Sequence, residues 1–259
     1  MIGICLLIGR IKPESKIPLV VASNRDEQYD RASEPTRVRN GDGDEFTSVA
    51  PRDQVGGGTW IGINQQGLFS ALTNPLAPDQ TYERSRGELV QRLLKNTDNF
   101  SEIREELAPV NPGMYGPFSL IVVLPEGILS IRNRPGEGFE WEEYGEGEFI
   151  LSSQKGLEFV ESGMWEQFPW LGSSRREDPE KLRARLQEFC KRTGSFRHRD
   201  AVCRKGDTIG TVSSSILMVM PDASRFEFDF TAGAPCTTPY RSVSIPPELE
   251  QSLLQRWSL

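Results

Sequence analysis

Cys5 and the tetrapeptide Asn24-Arg25-Asp26-Glu27 are the residues of this sequence whose types and spacing could do covalent chemistry. The cysteine lies in an apolar run, Met1 to Ile11, and the tetrapeptide follows the next apolar run, Leu19 to Ala22. A thiol beside a guanidinium and a carboxylate suits attack on an amide bond, and a free α-amino group can then replace histidine as the base. The residues alone are equally compatible with a core cysteine near a buried Arg–Asp pair.

His198 is the single histidine of the chain, so any Ser-His-Asp or Cys-His mechanism would depend on it. It lies in a very polar stretch, Ser195 to Asp200, with no nucleophile motif beside it, and this context predicts a surface loop. No group of His, Asp and Glu has the spacing of metal ligands. We therefore predict no metal site and no resident cofactor.

The composition narrows the classes of partner and the cellular setting. The chain has 259 residues, 37% of them hydrophobic, and a net charge of -7, which disfavours nucleic acid as a partner. No apolar stretch approaches the roughly 18 residues of a membrane-spanning helix. The four cysteines, Cys5, Cys190, Cys203 and Cys236, are far apart in the sequence, which argues against structural zinc and a disulfide framework. We expect a single domain, 1–259, in the cytoplasm.

Periodicity predicts an α+β fold with mainly antiparallel sheets, because strands connected by short turns alternate with amphipathic helices. Apolar runs on both sides of Gln65-Gln66-Gly67 predict a hairpin with glycine in the turn. Asp178-Pro179-Glu180 is a typical helix start. Further helices are expected at 87–95, 100–107 and 246–257, and strands at 118–124, 128–131, 148–152, 214–220 and 225–230.

Ordered motifs in the first third of the chain resemble the NRDE family, also called the transport and Golgi organisation 2 family. They are Cys5 to Ile8, Leu19 to Glu27, Gly57 to Ile63, Ala71 to Asn74 and Ser85-Arg86-Gly87. That family in turn resembles the choloylglycine and penicillin acylase branch of N-terminal-nucleophile hydrolases, which shares the hairpin sequence seen here from Gly62 to Leu68. The resemblance implies a four-layer αββα sandwich.

The resemblance also implies the residues of a site. Cys5 would be the nucleophile, Arg25 would tune its thiolate, Asp26 would orient the amine, and Asn74 would stabilise the oxyanion. Without the resemblance, a turn residue before Pro75 is an equally plausible interpretation of Asn74. The residues expected to contact the substrate are Asn24, Trp60, Ser153 and Thr211.

The sequence departs from the family pattern at three positions. Four residues, Met1 to Ile4, precede Cys5, so a free amine at Cys5 requires cleavage of the Ile4–Cys5 bond. Ser153 stands where the family has asparagine, and Val212 stands where it has a second arginine. Serine has a hydroxyl in place of the amide N–H donors of asparagine, and valine has no donor in place of the guanidinium of arginine.

Two functions follow from these observations. The first is hydrolysis or transfer of a linear amide or acyl bond, other than a peptide bond, through Cys5. The second is non-catalytic binding of a small molecule, haem or an acyl-lipid type of ligand, as the family resemblance implies. In the second function Cys5, Arg25 and Trp60 would line a ligand pocket.

Overall fold

The computed structural model describes residues 5–43, 45–75, 82–134, 136–160, 178–194 and 202–258. Within these residues the chain forms two seven-stranded sheets and a separate two-stranded sheet. We call the seven-stranded sheets A and B. Strand pairs within A and B are antiparallel, which agrees with the short turns between consecutive strands.

Sheet A carries Cys5 and the tetrapeptide at one end of its central strands. Its strand order is β11-β10-β1-β2-β14-β15-β16. The strands are β1 Leu6–Ile11, β2 Leu19–Gln28, β10 Gly147–Ser152, β11 Gly156–Phe159, β14 Ile209–Met220, β15 Arg225–Thr231 and β16 Arg241–Ser242. The two-stranded sheet pairs β12 Thr193–Gly194 with β13 Cys203–Arg204.

Sheet B follows the order of the chain, because each of its strands pairs with the next one in sequence. The strands are β3 Ser33–Arg39, β4 Ser48–Asp53, β5 Ile61–Asn64, β6 Phe69–Thr73, β7 Phe118–Leu124, β8 Gly127–Arg134 and β9 Gly138–Tyr144. The β5–β6 hairpin turns through Gly67, whose φ of 77° lies in the left-handed region that glycine adopts without strain.

The four helices are α1 Gly87–Asn96, α2 Phe100–Leu107, α3 Pro179–Lys191 and α4 Pro247–Trp257. Asp178 begins α3 as expected, since its carboxylate accepts from the main-chain N–H groups of Glu180 and Lys181. Each helix buries a stripe of apolar residues, such as Leu89, Val90, Leu93 and Leu94 of α1.

Three apolar clusters define the layers of the fold. One cluster fills the space between sheets A and B and is closed at one end by α4. A second packs α1 and α2 on the outer face of sheet B, and a third packs α3 on the outer face of sheet A. The order helix, sheet, sheet, helix confirms the expected four-layer sandwich.

The strongest periodic segments form the predicted elements. The hairpin, the helices at 87–95, 100–107 and 246–257, and the helix after Asp178 are confirmed, with ends shifted by at most two residues. The five strands expected after residue 110 are also confirmed, and most extend beyond their predicted bounds. His198 and Met1 to Ile4 lie outside the described residues.

The cysteines correct one expectation from the sequence. Cys203 and Cys236 are joined by a disulfide, with their Cα atoms 6.4 Å apart, although they are 33 residues apart in the chain. The bond joins β13 to the loop that follows β15. Cys5 and Cys190 are free thiols. Sequence spacing missed the pair because the fold, not a local motif, brings the two residues together.

No helix among the described residues is long and apolar enough to cross a membrane.

Candidate functional site

A cavity of about 620 Å³ lies between sheets A and B, at the end of the sandwich opposite α4. Trp257 of α4 donates to the carbonyl oxygen of Gly67, in the turn before β6, while Asn74 follows the other end of β6. The cavity is lined by Cys5, the tetrapeptide, Trp60, Asn74 and residues from 82 to 87, among others. Most motifs that carried the family resemblance therefore converge on one site.

Cys5 lies just before β1, where sheet A holds its main chain on one side. Its N–H donates to Ser153 Oγ at 3.1 Å, and its carbonyl oxygen accepts from the N–H of Ser153 at 3.2 Å. The thiol donates to the main-chain oxygen of Asp26, with an Sγ–O distance of 3.5 Å. Burial, with the nearby Asp26 charge as the next cause, raises the pKa of the Cys5 thiol to about 11. At neutral pH the thiol is therefore protonated.

Arg25 lies opposite Cys5 when the register of β1 and β2 is extended by one residue beyond the Leu6–Asn24 pair. Its guanidinium crosses to sheet B, where Cζ lies 4.1 Å from the centroid of the Trp60 ring. Its Nη2 donates to Glu27 Oε2 at 3.3 Å, and its buried Nη1 has no hydrogen-bond partner among the described residues. Burial lowers the pKa of Arg25, and the Glu27 charge opposes that shift.

Asn24 and Asp26 point to the other face of sheet A, because side chains alternate along β2. The amide of Asn24 donates at 3.0 Å to the carbonyl oxygens of both Cys190 and Val202, on the α3 side. The Asp26 carboxylate accepts from Thr211 Oγ1 at 2.6 Å. The side chains of Cys5 and Arg25 therefore point into the cavity. The Asn24 amide and the Asp26 carboxylate point away from it, to the α3 side of sheet A.

The side chains of Thr211 and Arg204 hold the Asp26 carboxylate in place on the α3 side of sheet A. Arg204 Nη1 lies 3.7 Å from Asp26 Oδ2, and the N–H of Arg204 donates to Thr211 Oγ1 at 2.8 Å. Thr211 is almost fully buried and lies behind Asp26 rather than at the cavity wall. Asn24 lines the cavity, although its amide binds carbonyl oxygens on the α3 side, whereas Thr211 is not among the lining residues. Contact of either residue with a substrate stays a prediction.

Asn74 lies at the wall of the cavity, directly after β6. Its Oδ1 is buried and has no hydrogen-bond partner among the described residues, and the same holds for Oγ1 of Thr73. A side-chain amide in this position can donate through Nδ2 to the oxygen of a carbonyl group held in the cavity.

An ion-pair network orders the mouth of the cavity. Arg31 donates twice to Oδ2 of Asp53, through Nε at 3.0 Å and Nη2 at 2.7 Å. Oδ1 of Asp53 accepts from the N–H groups of Val55 and Gly56. Burial alone would raise the pKa of Asp53, but the Arg31 and main-chain hydrogen bonds outweigh it and lower that pKa. The carboxylate therefore anchors the glycine-rich loop before Trp60.

Arg86 is a cavity residue that functional reasoning from the sequence missed. Its Nη1 donates to the carbonyl oxygen of Pro117 at 3.1 Å, and it forms no ion pair with a carboxylate of the described chain. Burial lowers the pKa of Arg86, although a guanidinium stays charged at neutral pH. The motif Ser85-Arg86-Gly87 belongs to the family resemblance, but its sequence alone does not indicate that Arg86 lines the cavity.

The family model for transport and Golgi organisation 2 matches residues 4–159, which include Cys5, the tetrapeptide, Trp60, Asn74 and Arg86. The chain belongs to the transport and Golgi organisation 2 family. Homologues of that name from mouse and human are each 30% identical to it over 123 residues. The alignment covers 45% of this chain and 44% of each homologue, so it spans less than half of their length.

The fold is also found in a solved acylase. Penicillin V acylase from Agrobacterium tumefaciens superposes with a TM-score of 0.51 at 14% identity, over 88% of this chain and 83% of the acylase. Identity this low establishes a shared fold alone. The sandwich fold that the sequence motifs of this transport and Golgi organisation 2 member implied is thereby confirmed.

Proposed function

We propose that this protein hydrolyses or transfers a linear amide or acyl bond, other than a peptide bond, through Cys5. The observation that carries the proposal is the position of the thiol, which lies at the wall of a cavity of about 620 Å³ between the two sheets. Arg25 and Asn74 line the same cavity. A small-molecule substrate suits this cavity, because ligand sites of several hundred Å³ typically enclose molecules of drug size.

The reaction begins when the base takes the thiol proton and Sγ of Cys5 attacks the substrate carbonyl carbon. The electron pair of the C=O π bond moves onto the carbonyl oxygen. Asn74 donates to that oxygen, an interaction worth about 3 kcal/mol in comparable sites. Collapse of the intermediate breaks the C–N bond, and the leaving amine takes the proton that the thiol gave up to the base. The acyl group remains on Cys5 as a thioester. Water then hydrolyses the thioester and restores the thiol.

The base in this mechanism is the α-amino group of Cys5, which becomes available when the Ile4–Cys5 bond is cleaved. Ser153 Oγ lies 3.1 Å from the Cys5 nitrogen and would hold the freed amine beside the thiol. Cleavage is needed because burial raises the pKa of the thiol to about 11, so the uncleaved residue has little thiolate at neutral pH. Asp26 acts as a positioning residue. Thr211 and Arg204 hold its carboxylate, and this fixes the main-chain oxygen to which the Cys5 thiol donates.

Mass spectrometry and an amine-release assay test the two parts of this proposal separately. One gene encodes the chain from Met1, and a second encodes methionine directly before Cys5, so that removal of one residue exposes the cysteine. Both proteins are incubated with N-acyl amides of short and long acyl chain, and the released amine is quantified. Cys190→Ala is the matched control, because Cys190 is the other free thiol and is fully buried.

We expect both preparations to begin at Cys5 and to release amine, and we expect Cys5→Ala to abolish release. Asn74→Ala should reduce kcat by about 100-fold if its amide stabilises the oxyanion. Retention of residues 1–4 in the first protein, with activity in the second, would refute processing but not the chemistry. Absence of amine release from both would refute the hydrolase proposal.

Ligand binding without catalysis is the second candidate, and three observations favour it. The Cys5 thiol is held protonated because burial raises its pKa, the Arg25 guanidinium packs on Trp60, and the Asp26 carboxylate binds Thr211 on the far face of sheet A. The ligand would be haem or an acyl compound. Haem titration followed by absorbance, and displacement of a fluorescent fatty acid, test this candidate with Cys5→Ala as control. Absence of any change at micromolar ligand would refute it.

A further inference from the structure

We propose that a second cavity, on the outer face of sheet B, binds a small organic phosphate. This cavity has a volume of about 450 Å³ and lies between β3, β4 and the end of α1. Four cationic side chains line it, namely Arg37, Arg39, Arg52 and Lys95. None of the described residues that line it is a carboxylate.

The register of β3 and β4 brings three arginines to this face. Arg37 pairs with Ala50, and Arg39 pairs with Ser48, so both share the face of Ala50 and of Arg52, two residues further along β4. That face is the one on which α1 packs, because Ala50 belongs to the apolar cluster under α1. Lys95 completes the set from the last turn of α1.

The carboxylates near this cluster neutralise only part of its charge. Glu34 pairs with Arg37 at 2.8 Å and with Arg39 at 3.1 Å, and Glu45 pairs with Lys95 at 2.8 Å. Four cations and two carboxylates leave two positive charges, in a chain whose net charge is -7. A phosphate monoester carries about -1.5 to -2 at pH 7 and so matches this excess.

Two guanidiniums have donors to offer a ligand. Arg52 is exposed and has no ion-pair partner within the described part of the chain. Arg39 donates to Glu34 and to the carbonyl oxygen of Ala50, but its buried Nη2 has no partner among the described residues. Planar guanidinium groups bind phosphate oxygens in pairs of parallel hydrogen bonds, which favours phosphate over a single-point anion.

Apolar side chains make room for the organic part of the ligand. Phe46, Ala50 and Leu94 line the cavity together with the cations. A volume of about 450 Å³ exceeds that of inorganic phosphate, so an ester with an aromatic or aliphatic body fits better than the free ion. Thr59 borders both this cavity and the Cys5 cavity, which places the glycine-rich loop between the two.

Calorimetric titration of the full chain with phenyl phosphate at low salt tests the proposal, and benzyl alcohol serves as the uncharged probe. We expect binding of phenyl phosphate but not of benzyl alcohol. Arg52→Ala and Arg39→Gln should each weaken binding by about tenfold, the effect of losing a charged hydrogen bond. Arg134→Ala is the matched control, since Arg134 is also an exposed arginine of sheet B and lies outside this cavity.

Arg52→Ala decides the outcome if Arg39→Gln does not fold, because the exposed Arg52 side chain makes no hydrogen bond or ion pair with the described residues. Equal affinity in Arg52→Ala and wild type would overturn the proposal, as would absence of binding at about 10 mM ligand. Arg86→Gln separates the two cavities. Loss of binding in Arg86→Gln, with binding retained in Arg52→Ala, would assign the phosphate to the Cys5 cavity and refute the site proposed here.

Discussion

The reactivity of Cys5 with an alkylating reagent measures the environment that the fold imposes on it. The thiolate is the species that reacts with iodoacetamide, so the rate follows the fraction of deprotonated thiol. In the uncleaved chain Cys5 is half-buried beside the main chain of Asp26, and its pKa is raised to about 11 from an ordinary value of 9.0. We predict slow alkylation of the native chain at neutral pH.

The size of the effect follows from the raised pKa. At a pH well below both values, the thiolate fraction falls tenfold each time the pKa rises by one, so a pKa of about 11 in place of 9.0 lowers that fraction by about 100-fold. The rate in the native protein should therefore be about one hundredth of the rate in the unfolded chain at about pH 7.5. As pH rises, the unfolded chain reaches its plateau first, and the native rate should continue to increase up to about pH 11.

The assay uses intact mass after timed exposure to iodoacetamide, with a Cys190→Ala chain so that Cys5 is the single free thiol that reacts. The same chain in urea supplies the reference rate. A chain that begins at Cys5 is the second comparison, because a free amine beside the thiol should restore rapid alkylation near pH 8. Native alkylation as fast as in urea, or a midpoint below about pH 8, would contradict the reasoning.

Two substitutions test the structural supports of the site. Gly58→Ala should destabilise the fold by about 1–3 kcal/mol, because its Cβ would overlap the carbonyl group of Gly87; Gly145→Ala, with open space around the position, is the control. Thr211→Val should cost about 1–3 kcal/mol, since Asp26 loses the hydroxyl that donates to it. Urea denaturation measures both.

Each of these substitutions has an outcome that would count against the structure. Equal midpoints for Gly58→Ala and Gly145→Ala would mean that the loop before Trp60 does not pack on the start of α1. Thr211→Ser keeps the hydroxyl and should remain near the stability of wild type. A Thr211→Ser variant as unstable as Thr211→Val would assign the loss to packing of the methyl group instead of the hydrogen bond.

Sequence periodicity predicted elements well where burial on one face is strong. The hairpin around Gly67 and the helix after Asp178 combine an apolar pattern with a specific turn or cap, and both signals are local. Strands such as β3 and β9 were missed because they carry many charged residues, and their pairing partners, not their own sequence, make them strands.

The tetrapeptide shows the limit of reading a site from sequence. Its residues are adjacent, so the sequence suggested that the side chains of Arg25 and Asp26 lie on the same side of the strand as Cys5. Alternation along β2 separates them, sending Arg25 toward Trp60 in the opposite sheet and Asp26 toward Thr211 behind its own sheet. No spacing rule reveals this separation until the strand and its two neighbours are known.

The sequence by itself determined the family, the order of most elements and the identity of the thiol at the candidate site. Local patterns carry this information, because caps, turns and amphipathic stripes depend on residues within one or two turns of each other. Tertiary structure alone decided that Arg86 lines the Cys5 cavity, that Cys203 bonds Cys236, and that three arginines face one side of β3 and β4. Each of these depends on contacts between distant segments, which only packing of the two sheets creates.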